Sequence, residues 1–173
     1  MRVINRVETI TTVKPISLLL SILAAILSTI LLSHQQIVVG TIVNLMLLSG
    51  AVNLKKSQLI LLAVFPSVLA VFQGLLFGKF TVFLLYFLPF IWISNLVYMS
   101  IFKKTEGNPV YRLLMSSFGK TTILFLIAVL FTNINLVPKI FLTSMGMLQL
   151  VTSLLGGGVF LLFNKLENKN GDN

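Results

Sequence analysis

Long apolar runs, separated by short polar segments, dominate the pattern of this chain. Six such runs follow a polar N-terminal stretch, and most approach the roughly 20 residues that a helix needs to cross the bilayer core. They are too long and too continuously apolar for the alternating strands of a membrane barrel. The pattern predicts an all-α integral membrane protein. The six predicted transmembrane helices are residues 16–33, 37–52, 59–77, 80–102, 113–131 and 140–163.

Composition agrees with this pattern. Of 173 residues, 57% are hydrophobic and only 10% are charged, whereas soluble domains average about 25% charged residues. The linkers between the runs are short, so consecutive helices are predicted to be antiparallel. We therefore expect a single membrane domain over residues 1–173, with residues 164–173 as a polar C-terminal tail.

The basic residues predict an orientation. If the N-terminus is cytoplasmic, ten of the thirteen Lys and Arg residues fall on the inner side, and only Lys79 and Lys139 fall outside. The remaining one, Lys120, lies within a span. This bias follows the positive-inside rule and predicts that both termini are cytoplasmic. It also accounts for the net charge of +9 without nucleic acid, which is not an expected partner.

Catalytic chemistry has few candidate residues. The four acidic residues lie in the termini or in the fourth predicted loop, His34 is the one histidine, and there is no cysteine. No Ser–His–acid triad, carboxylate pair or metal cluster can be assembled within the predicted spans. We expect that the protein is not an enzyme and has no cofactor and no metal site.

Lys120 is the most informative residue, because it lies near the middle of the fifth predicted span. A lysine at this depth costs roughly 2.5–3.5 kcal/mol, so it should face the protein interior or a watery cavity. It is either a structural lysine held by a polar neighbour or a counter-charge for an anionic ligand. The predicted spans contain no carboxylate, which favours the ligand.

Neutral polar residues are predicted at similar depth. Lys120 and Gln149 each lie 11 residues from the outer end of their segments, at residues 131 and 138, and therefore at about the same level. Together they suggest a pocket that opens outwards. The alternative is that these side chains pair only with one another and hold the bundle together. The predicted substrate-binding residues are Lys120, Gln149, Asn95, Asn44, Trp92 and Thr152.

A stripe of small residues follows the first predicted span. Ser17, Ser21 and Ala25 recur every four residues, and such stripes let helices approach closely. The stripe serves either packing within the chain or docking of another membrane subunit.

Three stretches resemble the substrate-binding S components of energy-coupling factor (ECF) transporters. Residues 92–97, Trp-Ile-Ser-Asn-Leu-Val, are similar to a segment with a Gly-Asn step in helix four, with Ser94 in place of the glycine. Lys120 lies within helix five and precedes a run rich in leucine and phenylalanine. Residues 148–153, Leu-Gln-Leu-Val-Thr-Ser, precede the glycines 156–158, similar to a Gln-Leu-x-Thr stretch followed by glycines in helix six.

This resemblance implies a fold, an S-component-like bundle of six transmembrane helices with both termini cytoplasmic. It also implies a function. S components bind a vitamin or similar micronutrient at the outer side of a bacterial or archaeal cell membrane. They then associate with a membrane-embedded T component and two cytoplasmic ATPases, which supply the energy. Family members meet the T component through small residues on helix one, where this chain has Ser17, Ser21 and Ala25. Metal-specific members use an N-terminal histidine cluster that this chain lacks, and Lys120 suggests an anionic substrate. The alternative is a small structural, accessory or channel-like membrane protein without a specific ligand.

Overall fold

The structure, a computed structural model, describes residues 36–73 and 78–170, with side chains for residues 36–72 and 80–165. The predicted first span and its stripe of Ser17, Ser21 and Ala25 lie outside the described residues. Within these ranges the chain is helical and contains no strand. The elements are α1 (Gln36–Asn53), α2 (Lys56–Gln73), a 3₁₀ helix (Gly78–Phe83), α3 (Leu84–Lys104), α4 (Pro109–Asn133), α5 (Ile140–Met145) and α6 (Met147–Asn170).

Four helical segments are long and apolar enough to cross a membrane, and α2 is an apolar helix of slightly shorter length. The prediction of a membrane protein built from transmembrane helices is thereby confirmed in its coarse form. The number of six spans and the side on which the termini lie stay predictions. The four segments are Gln36–Asn53, Phe80–Lys104, Pro109–Asn133 and Ile140–Lys165.

Local sequence signals explain where α4 begins. The side chain of Asn108 is the N-cap and accepts a hydrogen bond from the Val110 N–H at 2.9 Å. Pro109 occupies the first helical position, where its missing N–H costs nothing. The helix therefore starts four residues before the predicted start at residue 113, because the cap lies in the polar linker outside the apolar run.

The predicted sixth span is interrupted at Gly146. The Gly146 N–H donates to the Leu142 carbonyl at 3.0 Å, which closes α5, and the Gly146 carbonyl accepts from the Leu150 N–H at 3.1 Å, which opens α6. A Cβ at residue 146 would lie 2.7 Å from the Leu142 carbonyl oxygen and 2.8 Å from the Phe125 ring. The break thus depends on a residue without a side chain.

The helix α6 also continues further than predicted. Residues 164–170, expected to belong to a polar tail, are helical and complete α6 at Asn170. The apolar run ends near Phe163, but Lys165, Leu166 and Glu167 have good helix propensity. The hydrophobic pattern therefore marked where an apolar span ends and missed the polar turns that follow it.

Two hydrophobic clusters stabilise the bundle, one at each end. The helices pack mainly as α1 against α6 and α3 against α4, with α2 beside α3. The first cluster, which we call the basic-end core, lies where α1, α3 and α6 approach their C-termini. Its buried members are Leu47, Leu48, Ala51, Leu62, Ala63, Tyr98, Met99, Phe102, Leu113 and Phe160. The second, the cavity-end core, consists of Ala70, Leu84, Phe87, Leu124, Ala128, Val137, Phe141 and Met145.

The charged residues distinguish the same two ends. The Arg112 Nε donates to the Phe102 carbonyl at 2.8 Å and the guanidinium lies 4.7 Å from the centre of the Phe102 ring, so the α3–α4 turn is at the basic end. In the described residues Lys79 and Lys139 lie in segments at the opposite end, and Lys120 lies between the two ends. The other described cations lie in segments at the basic end, and this unequal distribution is the basis of the predicted orientation. They are Lys55, Lys56, Lys103, Lys104, Arg112, Lys165 and Lys169.

Candidate ligand-binding cavity

Lys120 is held in the middle of the bundle by a neighbour on another helix. Its side chain is 3% exposed, and its Nζ donates a hydrogen bond to the Asn44 Oδ1 at 2.6 Å. Asn44 is itself 1% exposed. The short distance is typical of a hydrogen bond from a charged donor. This contact joins α4 to α1 near the middle of the candidate span Pro109–Asn133. In a transmembrane helix, a lysine at the centre has the highest insertion cost.

The hydrogen bonds continue from α1 to α6. The Asn44 Nδ2 donates to the Gly40 carbonyl at 2.8 Å and to the Thr152 Oγ1 at 3.3 Å. The Thr152 hydroxyl in turn donates to the Gln149 carbonyl at 3.3 Å. One polar chain of contacts thus links three helices, and its members use both the oxygen and the nitrogen of the Asn44 amide.

Tyr98 provides a second contact to Lys120 that sequence reasoning missed. The Lys120 Nζ lies 5.3 Å from the centre of the Tyr98 ring, within the range of a cation–π interaction. The fully buried Tyr98 donates its hydroxyl hydrogen bond to the Ser153 carbonyl at 2.9 Å, which fixes the ring. One signal was available, since Tyr98 follows Asn95 by three residues and so shares its helix face.

A cavity of about 120 Å³ adjoins these residues. On α1 its lining extends from Gln36 to Asn44, eight residue steps or about 12 Å of helix. It therefore reaches from the end opposite the basic residues to the middle of the bundle. The described residues that line it are Gln36, Val39, Gly40, Val43, Asn44, Pro66, Ser67, Ala70, Leu84, Ile91, Asn95, Lys120, Ser144, Met145, Leu148, Gln149 and Thr152.

The structure brings five of the six predicted site residues to this cavity, and Trp92 is not among its described lining. Instead, the Trp92 Nε1 donates to the Ser67 Oγ at 2.9 Å, and Ser67 lines the cavity. Trp92 thus positions a wall residue. Sequence reasoning also missed the lining residues Ser67 and Ser144. The Ser67 hydroxyl donates to the Val64 carbonyl of its own helix at 2.8 Å, and such a serine has no distinctive sequence signal.

Asn95 has an incomplete set of partners. The side chain is 2% exposed, and its Nδ2 donates to the Ala63 carbonyl on α2 at 2.9 Å. Its Oδ1 is buried and has no hydrogen-bond partner among the described residues. A buried acceptor without a donor costs about 1–3 kcal/mol. The site therefore contains one strong unmet hydrogen-bonding requirement beside the cavity.

The break at Gly146 adds a further polar feature. Because α6 begins at Met147, the N–H groups of its first turn have no carbonyl partner within their own helix. Leu148 and Gln149 belong to this first turn and line the cavity. The start of a helix carries partial positive charge, so this end of α6 and the Lys120 ammonium have the same sign.

The lining combines one positive charge with hydrogen-bonding groups and apolar surface. The described lining supplies one cation, amides and hydroxyls, with apolar side chains between them, and it includes no carboxylate, imidazole or thiol. A scan against protein-family models and searches of curated proteins and of solved structures each returned no match. The fold and the site define a class: a multi-pass α-helical membrane protein with a cavity of mixed polar and apolar lining within its bundle.

Proposed function

We propose that this protein is the membrane-embedded substrate-binding subunit of an ECF-type uptake transporter. It would bind a vitamin or similar micronutrient from the outer side of a bacterial or archaeal cell membrane. The observation that carries the proposal is Lys120, a buried cation beside a cavity, with only neutral partners among the described residues.

The charge of Lys120 is only partly compensated by its partners among the described residues. Asn44 and Tyr98 satisfy part of its hydrogen-bonding and electrostatic requirement, but neither carries a compensating negative charge. Removing a charge from water costs several kcal/mol unless a partner compensates it. An anionic ligand in the adjoining cavity would supply that compensation. Its binding would therefore lower the free energy of the buried lysine.

The source of energy would lie outside this chain. The resemblance implies a T component and two cytoplasmic ATPases as partners, with Ser17, Ser21 and Ala25 as the docking stripe. The double variant Ser21→Leu, Ala25→Leu should reduce co-purification with a T component, because leucine side chains prevent close helix approach. Unchanged recovery would contradict docking at this stripe.

The test of the binding function is ligand-induced stabilisation. The purified full-length protein would be heated in detergent with a panel of vitamins and their precursors. A true ligand at a hundredfold excess over its dissociation constant stabilises by about 2.7 kcal/mol. Lys120→Met should fold and lose the response to an anionic ligand. Ser116→Ala is the matched control, because Ser116 is a buried α4 residue that bonds to its own helix at Leu113 and does not line the cavity.

A second candidate, an accessory helical protein without a ligand, is favoured by one observation. The chain of contacts from Lys120 through Asn44 to Thr152 already ties three helices together. On this interpretation Lys120→Met would unfold the protein. No compound in the panel would stabilise the wild type, and no T component would co-purify with it.

A further inference from the structure

We propose that the cavity binds a small organic monocarboxylate that also carries a hydrogen-bond donor, an O–H or N–H, away from its carboxylate. The carboxylate would lie against the Lys120 ammonium and the donor would bond to the Asn95 Oδ1. This inference rests on the proposed substrate-binding function and specifies the chemical class of the substrate.

The described cavity lining carries a single positive charge, which favours a ligand with a single negative charge. A lysine ammonium has three N–H donors, and one of them is taken by Asn44. Lys120 is the one cation in the described lining, so a single negative charge neutralises the site. The start of α6, with Leu148 and Gln149 in the lining, faces the same space and also favours an anion.

The second feature of the lining is the Asn95 amide. Its nitrogen is committed to the Ala63 carbonyl, which fixes the orientation of the amide and leaves the oxygen as an acceptor. That oxygen is buried without a donor in the described part of the protein. A ligand O–H or N–H would satisfy it, whereas a ligand with acceptors alone would leave it unsatisfied.

The size of the cavity and the character of its walls limit the ligand to a small organic molecule. The volume of about 120 Å³ is slightly below that of an engineered cavity of about 150 Å³ that binds benzene. It is well below the roughly 300–1,000 Å³ of pockets for drug-sized ligands. Apolar side chains such as Val39, Val43 and Ile91 line the remainder. These walls favour a compact organic body over an inorganic ion.

The test compares ligands that differ in one group. Titration calorimetry on the full-length protein in nanodiscs would use two series: 3-hydroxybutyrate, butyrate and 3-hydroxybutyramide, and 3-hydroxybenzoate, benzoate and 3-hydroxybenzamide. In at least one series the hydroxy acid should bind at least about tenfold more tightly than both relatives, since each relative loses one of the two polar contacts. Failure of both hydroxy acids to bind would overturn the inference, and so would equal binding of the acid without the hydroxyl or tighter binding of inorganic phosphate.

Two variants assign the contacts. Lys120→Met should weaken binding of the hydroxy acid at least about tenfold. Asn95→Leu should abolish the preference for the hydroxyl while it leaves the affinity for the simple carboxylate unchanged, and this result does not require Lys120→Met to fold. Ser94→Ala is the control, because Ser94 is buried next to Asn95 but bonds to its own helix at Ile91. A preference for the hydroxyl that survives Asn95→Leu would contradict the assigned contact.

The outcomes separate this inference from the proposed function. A neutral or cationic micronutrient that stabilises wild type and Lys120→Met equally, in a protein that co-purifies with a T component, would overturn the inference and retain the transporter subunit. Tight hydroxy-acid binding that depends on Lys120, without association with a T component, would support the inference and contradict the ECF assignment.

Discussion

The two ends of the described bundle use the same helices for different purposes. At the basic end, aromatic and aliphatic side chains interlock, as where the Phe102 and Phe160 rings meet edge to face with centres 5.7 Å apart. At the opposite end, a second core lies beside a cavity whose walls carry both polar and apolar side chains. Lys120, Asn44 and Thr152 lie at the boundary between the two. One end is thus closely packed, and the other contains the cavity that we propose as the binding site.

Glycine illustrates this difference. At Gly156 a Cβ would lie 2.7 Å from the Leu45 nitrogen and would also contact the Thr41 carbonyl, so the glycine allows the α1 and α6 backbones to meet. At Gly146 the missing side chain instead allows a helix to be interrupted. One glycine brings two helices together and the other divides a helix in two.

The largest expected effect concerns the polar boundary. Asn44→Leu removes the acceptor of Lys120 and the partner of Thr152, and leaves a buried cation without a hydrogen bond. We expect the free energy of unfolding, measured in mixed detergent–SDS micelles, to fall by about 3 kcal/mol.

The matched experiment is the double variant Asn44→Leu, Lys120→Met. Replacing both partners of a buried polar contact by apolar groups is far less costly than removing one. The double variant should therefore recover most of the lost stability. Equal destabilisation by the single and double variants would show that the boundary is held by packing and that the lysine charge is unimportant to it.

The next effect concerns the close contact of α1 and α6. Gly156→Val forces a branched side chain against the α1 backbone, so we expect a loss of about 2 kcal/mol in the same assay. Gly158→Ala is the control on the same helix, where a Cβ would meet nothing within 4 Å. It should raise stability slightly, because alanine favours a helix over glycine. A similar loss in both variants would contradict a specific close contact at Gly156.

The fold could be predicted as far as the hydrophobic pattern reaches. Apolar runs predicted the membrane class and located the helical segments that the structure describes. They could not reveal the break at Gly146, because residues 140–163 stay apolar and glycine is common within transmembrane helices. They also could not reveal the polar continuation of α6 to Asn170.

The sequence allowed the depth of the site residues to be predicted, but not which side chains contact each other. Counting residues placed Lys120 and Gln149 at one level, and the structure brings both to one cavity. The pairing of Lys120 with Asn44 depends on how α1 and α4 are rotated towards each other, which residue counts do not contain. Trp92 is one of the predicted substrate-binding residues, yet its side chain donates to Ser67 and it is not among the described lining.

A smaller effect tests how Tyr98 connects the basic-end core to the boundary. Tyr98→Phe deletes the hydrogen bond to the Ser153 carbonyl but retains the ring beside Lys120. We expect a loss of about 1 kcal/mol in unfolding free energy, with unchanged affinity for carboxylates in calorimetry. Tyr98→Leu removes the ring too, so it should weaken both. Weakened carboxylate binding in Tyr98→Phe would assign the hydroxyl, and not the ring, to the site.

The smallest effect is expected at the basic end, far from the cavity. Asn108→Ala removes the side-chain acceptor that caps the Val110 N–H at the start of α4. Since this cap is exposed to solvent, water replaces part of the lost bond, and we expect a loss of only about 0.5 kcal/mol. Asn108→Asp retains the acceptor and should restore stability. Neither change should alter ligand affinity, because Pro109 still begins the helix and Lys120 lies three turns further along α4. A change in ligand affinity would mean that the basic end is coupled to the binding region, and that the two ends of the bundle do not act independently.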